Sequence, residues 1–290
     1  MSSFKSRFGK FIFLVPSVMF VLALIIYPMI YGMGLSFFNT NLINRWDFKG
    51  FLNYKNVFNN DYFMSSIIIT LKYTIIVVAG HFVVGMLFAL LLNKNIKNRA
   101  IFRSILMIPW LFPEIVFGVL WKWILNPTYG IFNFMLINMK ILSEPTTWLG
   151  SVEHAFNALC LISIWKGFPF MMLMLLAGLQ SVPTDLYEAG ELDGCNRWDS
   201  LRYITIPSIM PVITVSLILD TVSWFRQYDL VSILTAGGPN NSTMLISRFI
   251  YDKAFQSFDY GEASAMAVIV FIICCVIGFI YRKMTTVNSE

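Results

Sequence analysis

Six apolar runs, over residues 11–34, 66–92, 104–125, 155–179, 207–225 and 263–281, are each long enough to cross a hydrocarbon layer. No backbone polar group can stay unpaired in that layer, so runs of this length commit the chain to helices. Of the 290 residues, 57% are hydrophobic and 13% charged, and the mean hydropathy is +0.69. A water-soluble domain cannot hide that much apolar surface. The expected fold class is all-α, a polytopic membrane protein with six transmembrane helices. The first run follows Lys5, Arg7 and Lys10 and lacks a small-residue cleavage site, so it reads as a retained helix.

Lysine and arginine placement orients the spans. With the N-terminus inside, eleven of these residues fall in inner segments and seven in outer ones. The dense short loop Lys94, Lys97, Arg99 and Arg103 decides the assignment, with both termini cytoplasmic. The net charge of +5 is spread through loops without a basic stripe, which argues against nucleic acid.

Between the fourth and fifth runs lies a polar segment, residues 188–211, EAGELDGCNRWDSLRYITIPSIMP. A stretch this polar cannot lie in hydrocarbon, so it faces water. Ser181 and Pro183 are helix-start signals, Asp185 and Glu188 suit the positive end of a first turn, and Gly194 is a natural stop. The expected product is a short helix of about 12 to 15 Å, a glycine break and a second helix. Leu186, Ala189 and Leu192 would face apolar neighbours, with Asp185, Glu188, Glu191 and Asp193 on a wetter edge. Two readings are open on this local pattern alone: a docking surface, or an ordinary connector between two spans.

Lys72, Glu114, Lys166 and Asp220 lie in or near spans, where an ionisable group costs about 2.5 to 3.5 kcal/mol unless it finds water or a partner. Asp220, Trp224 and Gln227 stand on successive turns of the fifth run, and a tryptophan face beside hydrogen-bonding groups suits a sugar ring. The bland readings are equally specific. The two lysines would snorkel or pair, Glu114 would pack beside Pro113, and Trp224 would anchor at the membrane interface. Prolines 109, 113, 169, 207 and 211 interrupt or flank the runs. Cys160, Cys195, Cys274 and Cys275 have no metal-ligand spacing and read as small buried residues, while His81 reads as packed and hydrogen-bonded. The sequence shows no clustered nucleophile, base or metal ligands. Gly237, Gly238 and Pro239 form a turn without the lysine of a phosphate loop.

The spacing Glu188-Ala189-Gly190, three residues, Gly194, nine residues, Ile204, one residue, Ile206-Pro207 resembles the cytoplasmic signature loop of binding-protein-dependent ABC importer permeases. It departs at Gly190, where alanine is usual, and at Ile206, where leucine is usual. Gly190 should cost about 1 kcal/mol relative to alanine in a helix. Residues 35–61, with Phe51, Asn53 and Tyr54, resemble the region after the first helix in carbohydrate-uptake permeases, and residues 121–133 and 234–255 resemble two further landmarks.

What the resemblance implies is a type I ABC importer permease fold in a bacterial cell membrane. Residues 1–65 would hold the first helix and an outer loop, 66–281 the permease domain with a coupling loop near 181–206, and 282–290 a cytoplasmic tail. Asp185, Glu188, Ala189, Gly190, Asp193, Gly194 and Pro207 would couple to an ATPase, with Glu188 as a contact and Gly194 as a hinge. Asp220, Trp224 and Gln227 would border the solute path. The implied partners are a second homologous permease, a dimeric cytoplasmic ATPase that binds ATP and Mg, an extracytoplasmic solute-binding protein and the lipid bilayer. No catalytic residue, cofactor or metal is expected in this chain. The alternative is an ion-coupled secondary transporter, which would usually show paired repeats with membrane carboxylates.

Overall fold

The computed structural model describes residues 14–94 and 96–287, with side chains described as far as Lys283. Lys5, Arg7 and Lys10, the start of the 11–34 run and the end of the 282–290 tail lie outside the described residues. The chain divides into two units, one reaching to Phe63 and including Ile250–Ile272, the other comprising Met64–Phe249 and the residues from Ile273 on.

In the first unit, α1 (Val15–Leu35) contains a π turn at Leu22–Ile26 and leads into a short antiparallel hairpin. Its strands, β1 (Phe38–Thr40) and β2 (Trp46–Phe48), pair Phe38 with Phe48. Asn41 Oδ1 turns the chain by accepting from the amides of Ile43, Asn44 and Arg45 at 3.0 to 3.1 Å. The next helix, α2 (Leu52–Phe58), carries the Phe51-Asn53-Tyr54 pattern. Buried Asn53 donates to the carbonyls of Ser36 and Phe38, both at 2.8 Å, and Tyr54 Oη meets Ser36 Oγ at 2.7 Å. Asn53 and Tyr54 therefore hold the end of α1 and the first strand to α2.

The remaining helices are α3 (Asp61–Asn93), α4 (Arg99–Leu111), α5 (Glu114–Ile124), α6 (Ile131–Asn138), α7 (Val152–Gln180), α8 (Thr184–Leu192), α9 (Arg197–Asp199), α10 (Ile206–Phe225), α11 (Asp229–Leu234), α12 (Ile246–Tyr251) and α13 (Tyr260–Val287). Within the second unit α7 is the hidden element. Two thirds of its most apolar stretch is buried, 67% against 33% for α3, and it packs against both α4 and α10. Phe168, Met172 and Leu175 of α7 close one apolar cluster with Ala89 and Ile209, while Leu159 joins Tyr73, Phe117 and Leu230 in another.

Five of the six apolar runs coincide with single helices as far as they are described, but the run over 104–125 does not. It is two helices, α4 and α5, bent by 92°. Pro113 has no amide hydrogen and forces Phe112 into an extended conformation (φ −67°, ψ 138°), so the α4 ladder ends there. The described residues thus hold five helices long and apolar enough to cross a membrane, six when the bent pair counts as one.

Candidate solute cavity and coupling segment

The bend opens a cavity of about 470 Å³ against α7 and α10. Three of the four ionisable residues singled out in the apolar runs, Glu114, Lys166 and Asp220, border it together with Trp224, Gln227, Trp110 and Phe170. Lys72 is exposed on α3 and does not border it. Residues more than 100 positions apart in sequence therefore meet in one space with aromatic faces and carboxyl groups side by side.

Lys166, Glu114, Gln227 and Asp220 each have a definite partner. Lys166 neither snorkels nor pairs with a carboxylate. Its Nζ donates to the carbonyls of Pro109, Trp110 and Phe112 at 3.0, 3.0 and 2.6 Å. These are carbonyls that a helix end leaves without amide donors, so an ammonium from α7 caps the broken end of α4. It also sits 5.4 Å from the Phe117 ring centroid. Glu114, in the first turn of α5, accepts from Gln227 Nε2 at 3.1 Å across the cavity mouth. That contact brings α5 and the end of α10 together, which explains Glu114 better than simple packing beside Pro113.

Trp224 is buried, with its ring 4.9 Å from His81 and 6.3 Å from Tyr73, and so is not an interface anchor. His81 is wholly buried as well. Its Nδ1 lies 2.8 Å from Asp220 Oδ2 and its Nε2 3.0 Å from the Ser163 carbonyl. Ser163 Oγ in turn meets Tyr73 Oη at 2.7 Å and donates to the Leu159 carbonyl at 2.8 Å. Gly167 makes the arrangement possible, because a Cβ there would run into His81 and lie 2.7 Å from Trp224 Cζ2.

At the other end of α10 lies the polar segment. Helix α8 ends in a full Schellman turn: Cys195 N–H donates to Gly190 O at 2.8 Å and Gly194 N–H to Glu191 O at 3.1 Å, with Gly194 at φ +83°. Immediately afterwards Asn196 and Asp199 form a reciprocal capping box that starts α9. A π turn at Ser200–Thr205 carries α9 into α10. Two contacts tie α8 back to that junction. Tyr187 Oη meets Thr205 Oγ1 at 3.1 Å, and a Cβ on buried Gly190 would lie 2.6 Å from Ile204 Cδ1. The glycine where alanine is usual is therefore a close-approach site as well as a weak point in the helix.

The expectation that Leu186, Ala189 and Leu192 find apolar neighbours is not met within this chain. All three are exposed, Leu192 at 89%, together with Asp185, Glu188, Glu191 and Asp193. Pro207 is exposed in the first turn of α10. The short helix offers an apolar and acidic surface that its own chain leaves uncovered. The cysteine expectation needs a similar correction. Cys160 is buried, Cys195 and Cys274 are half-buried, and Cys275 is exposed on a span, where lipid rather than protein suits an apolar thiol. Sequence reasoning marked His81 as hydrogen-bonded but not its tie to Asp220, and it missed Trp110 and Phe170 at the cavity. Their only signal was aromatic character beside a proline.

The sequence profile of the family described as "Binding-protein-dependent transport system inner membrane component" matches residues 81–285. The trehalose/maltose transport system permease protein MalF of Thermococcus litoralis is 34% identical over 286 residues, covering 98% of this chain and 96% of that protein. The sulfoquinovosyl glycerol transport system permease protein SmoG of Agrobacterium fabrum is 33% identical over 273 residues, with coverages of 93% and 88%. Among solved structures, a chain of a bacterial ABC transporter involved in the import of the acidic polysaccharide alginate superposes with a TM-score of 0.85 at 24% identity, over 100% of this chain and 99% of that one. A chain of the MetNI methionine ABC transporter superposes with a TM-score of 0.59 at 16% identity, over 78% and 96%. At these identities the two structures speak to the fold alone. With the profile covering the cavity helices and the polar segment, and near full-length relatives beside it, the chain belongs to the inner membrane components of binding-protein-dependent transport systems.

Proposed function

We propose that this chain is the permease subunit of an ATP-driven importer and forms, with a second related permease, the path for a mono- or oligosaccharide delivered by an extracytoplasmic binding protein. ATP and Mg are bound by a dimeric cytoplasmic ATPase and not by this chain. Both termini are cytoplasmic in this reading. The permease domain runs over 66–281 with its coupling loop at 181–206, preceded by the first helix and outer loop (1–65) and followed by a short tail (282–290).

One observation supports the reading most. The two ends of α10 serve two different surfaces. Its start is fastened to α8, whose outer face is bare, and its end supplies Asp220, Trp224 and Gln227 to the cavity. About 21 Å of continuous helix separates Ile206 from Asp220, so a displacement of α8 reaches the cavity through a single element. The chemistry of the cavity fits a sugar: Trp110, Phe170 and Trp224 offer faces for C–H-rich rings, and the carboxyl groups offer acceptors for hydroxyls. The relatives named above carry sugar or sugar-glycoside names, which agrees with that solute class. In this mechanism ATP closes the ATPase dimer, α8 follows the cleft it occupies, and α10 tilts to turn the cavity from one side of the membrane to the other.

The test is uptake into proteoliposomes holding the complete assembly, with the sugar chosen by thermal-shift screening of the associated binding protein. Glu188→Ala abolishes accumulation while the permease remains inserted and the binding protein still binds its sugar. Accumulation at the wild-type rate in that variant would refute the coupling role.

A further inference from the structure

The ring of His81 lies between two oxygen atoms, and their identities fix how many protons it carries. The Ser163 carbonyl can only accept, so Nε2, 3.0 Å away, holds a hydrogen and donates it. The remaining contact, Nδ1 to Asp220 Oδ2 at 2.8 Å, joins a nitrogen and a carboxyl oxygen with no other hydrogen-bond partner for either atom among the described residues. Two bare lone pairs would repel at that distance, so one proton must lie between them. Whether it is drawn on the nitrogen or on the oxygen, the pair as a whole is neutral.

Asp220 itself is 2% exposed and borders the cavity, and its other oxygen, Oδ1, makes no hydrogen bond among the described residues. We infer that His81 is a positioning residue that shares a single proton with Asp220, so that the neutral pair aims Oδ1 at a solute hydroxyl without presenting a net charge. The inference rests on the reading of the cavity as the solute path and deepens it. A lone carboxylate at this depth would be costly to bury and would favour a cationic solute, whereas the neutral pair favours an uncharged polyhydroxylated one.

The other titratable or charged groups near the pair are Tyr73 on α3, linked to it through Ser163, Lys166 on α7 and Glu114 on α5, which border the same cavity as Asp220, and Tyr281 on α13, which meets Thr221. Lys166 is taken up by three carbonyls and Glu114 by Gln227. Neither contacts His81 or Asp220 through a hydrogen bond, so neither replaces the shared proton.

The experiment measures uptake by the complete assembly in proteoliposomes between pH 5.5 and 8, each variant normalised to wild type at the same pH. His81→Asn keeps a donor for Asp220 but cannot supply the proton. It lowers uptake at least tenfold at pH 7.5 and regains at least fivefold at pH 5.5. Adding Asp220→Asn removes that acid recovery. A merely structural histidine would lose uptake equally at every pH, so either that outcome or His81→Asn tracking wild type overturns the inference. Trp224→Ala in the same vesicles tests the underlying reading: transport at the wild-type rate would mean the solute passes elsewhere. Should His81→Asn fail to assemble, the wild-type chain supplies the readout, since it has only two histidines. Solid-state ¹⁵N NMR of the labelled assembly, with His154→Asn to assign the signals, should show His81 Nε2 protonated and Nδ1 strongly hydrogen-bonded. A bare Nε2 would overturn the inference.

Discussion

Replacing Lys166 by methionine tests whether the bend between α4 and α5 depends on a single ammonium group. Methionine matches the length and apolar stem of lysine but donates nothing. The Pro109 carbonyl receives its bond in buried surroundings, and losing a charged donor there costs about 1.5 to 3 kcal/mol. The bonds to Trp110 and Phe112 are only partly buried, so cavity water replaces much of each and the loss is about 0.5 to 1 kcal/mol apiece. Relief from burying an ammonium works in the opposite direction. It is small here because the lysine borders the cavity and is already satisfied by three acceptors. The net destabilisation is about 2 to 4 kcal/mol. For a unit of roughly 200 residues this lowers the thermal midpoint by about 5 to 15 °C on soluble-domain scaling. Fluorescence-detected size exclusion of the solubilised assembly after heating reads that midpoint. Lys166→Arg should fall between the two, since a planar fork cannot converge on three carbonyls as an ammonium does. A methionine variant within 2 °C of wild type would show that the bend holds itself and that the capping argument is wrong.

Gly167→Ala drives a methyl group into His81 and Trp224, an overpacking cost of about 1 to 3 kcal/mol, and should cut uptake more than tenfold with the permease still in the membrane. Gly194→Ala places a side chain at φ +83° and strains the corner after α8 by about 1 to 2 kcal/mol. Uptake should fall and protease cutting near residue 194 should rise, while wild-type values of both would contradict the turn described here.

Span positions were legible because hydrocarbon imposes one requirement, a long apolar helix, and residues 66–92, 155–179, 207–225 and 263–281 meet it without ambiguity. The right angle inside 104–125 was not legible. Hydropathy reports whether a residue tolerates lipid and not the direction of the chain, and Pro113 alone predicts only a kink. What stabilises so sharp a break is Lys166, 53 positions beyond Pro113 in sequence. Asp220 and Trp224 were readable as one face of one helix because helical spacing is a local property, whereas Gln227 lies just past the end of α10 at Phe225 and not on a further turn of it. Their partners were not, since His81 stands 139 residues from Asp220 and Glu114 stands 113 from Gln227. Such contacts belong to tertiary packing, which the ionisable residues hinted at only through their cost in an apolar run. Leu186 and Leu192 were readable as apolar positions of a short helix, but hydropathy does not say what covers such a face, and the described residues of this chain leave both exposed.

The four residues from Asp193 to Asn196 close one helix and open the next with their amides already engaged. Such an elbow has little compliance, because swinging either arm would first require breaking a hydrogen bond. In the proposed mechanism a push on α8 would therefore be passed on much as through a bell crank, with almost no slack. One residue inserted between Gly194 and Asn196 would lengthen the elbow and disengage both sets of bonds, leaving two intact helices that no longer turn together.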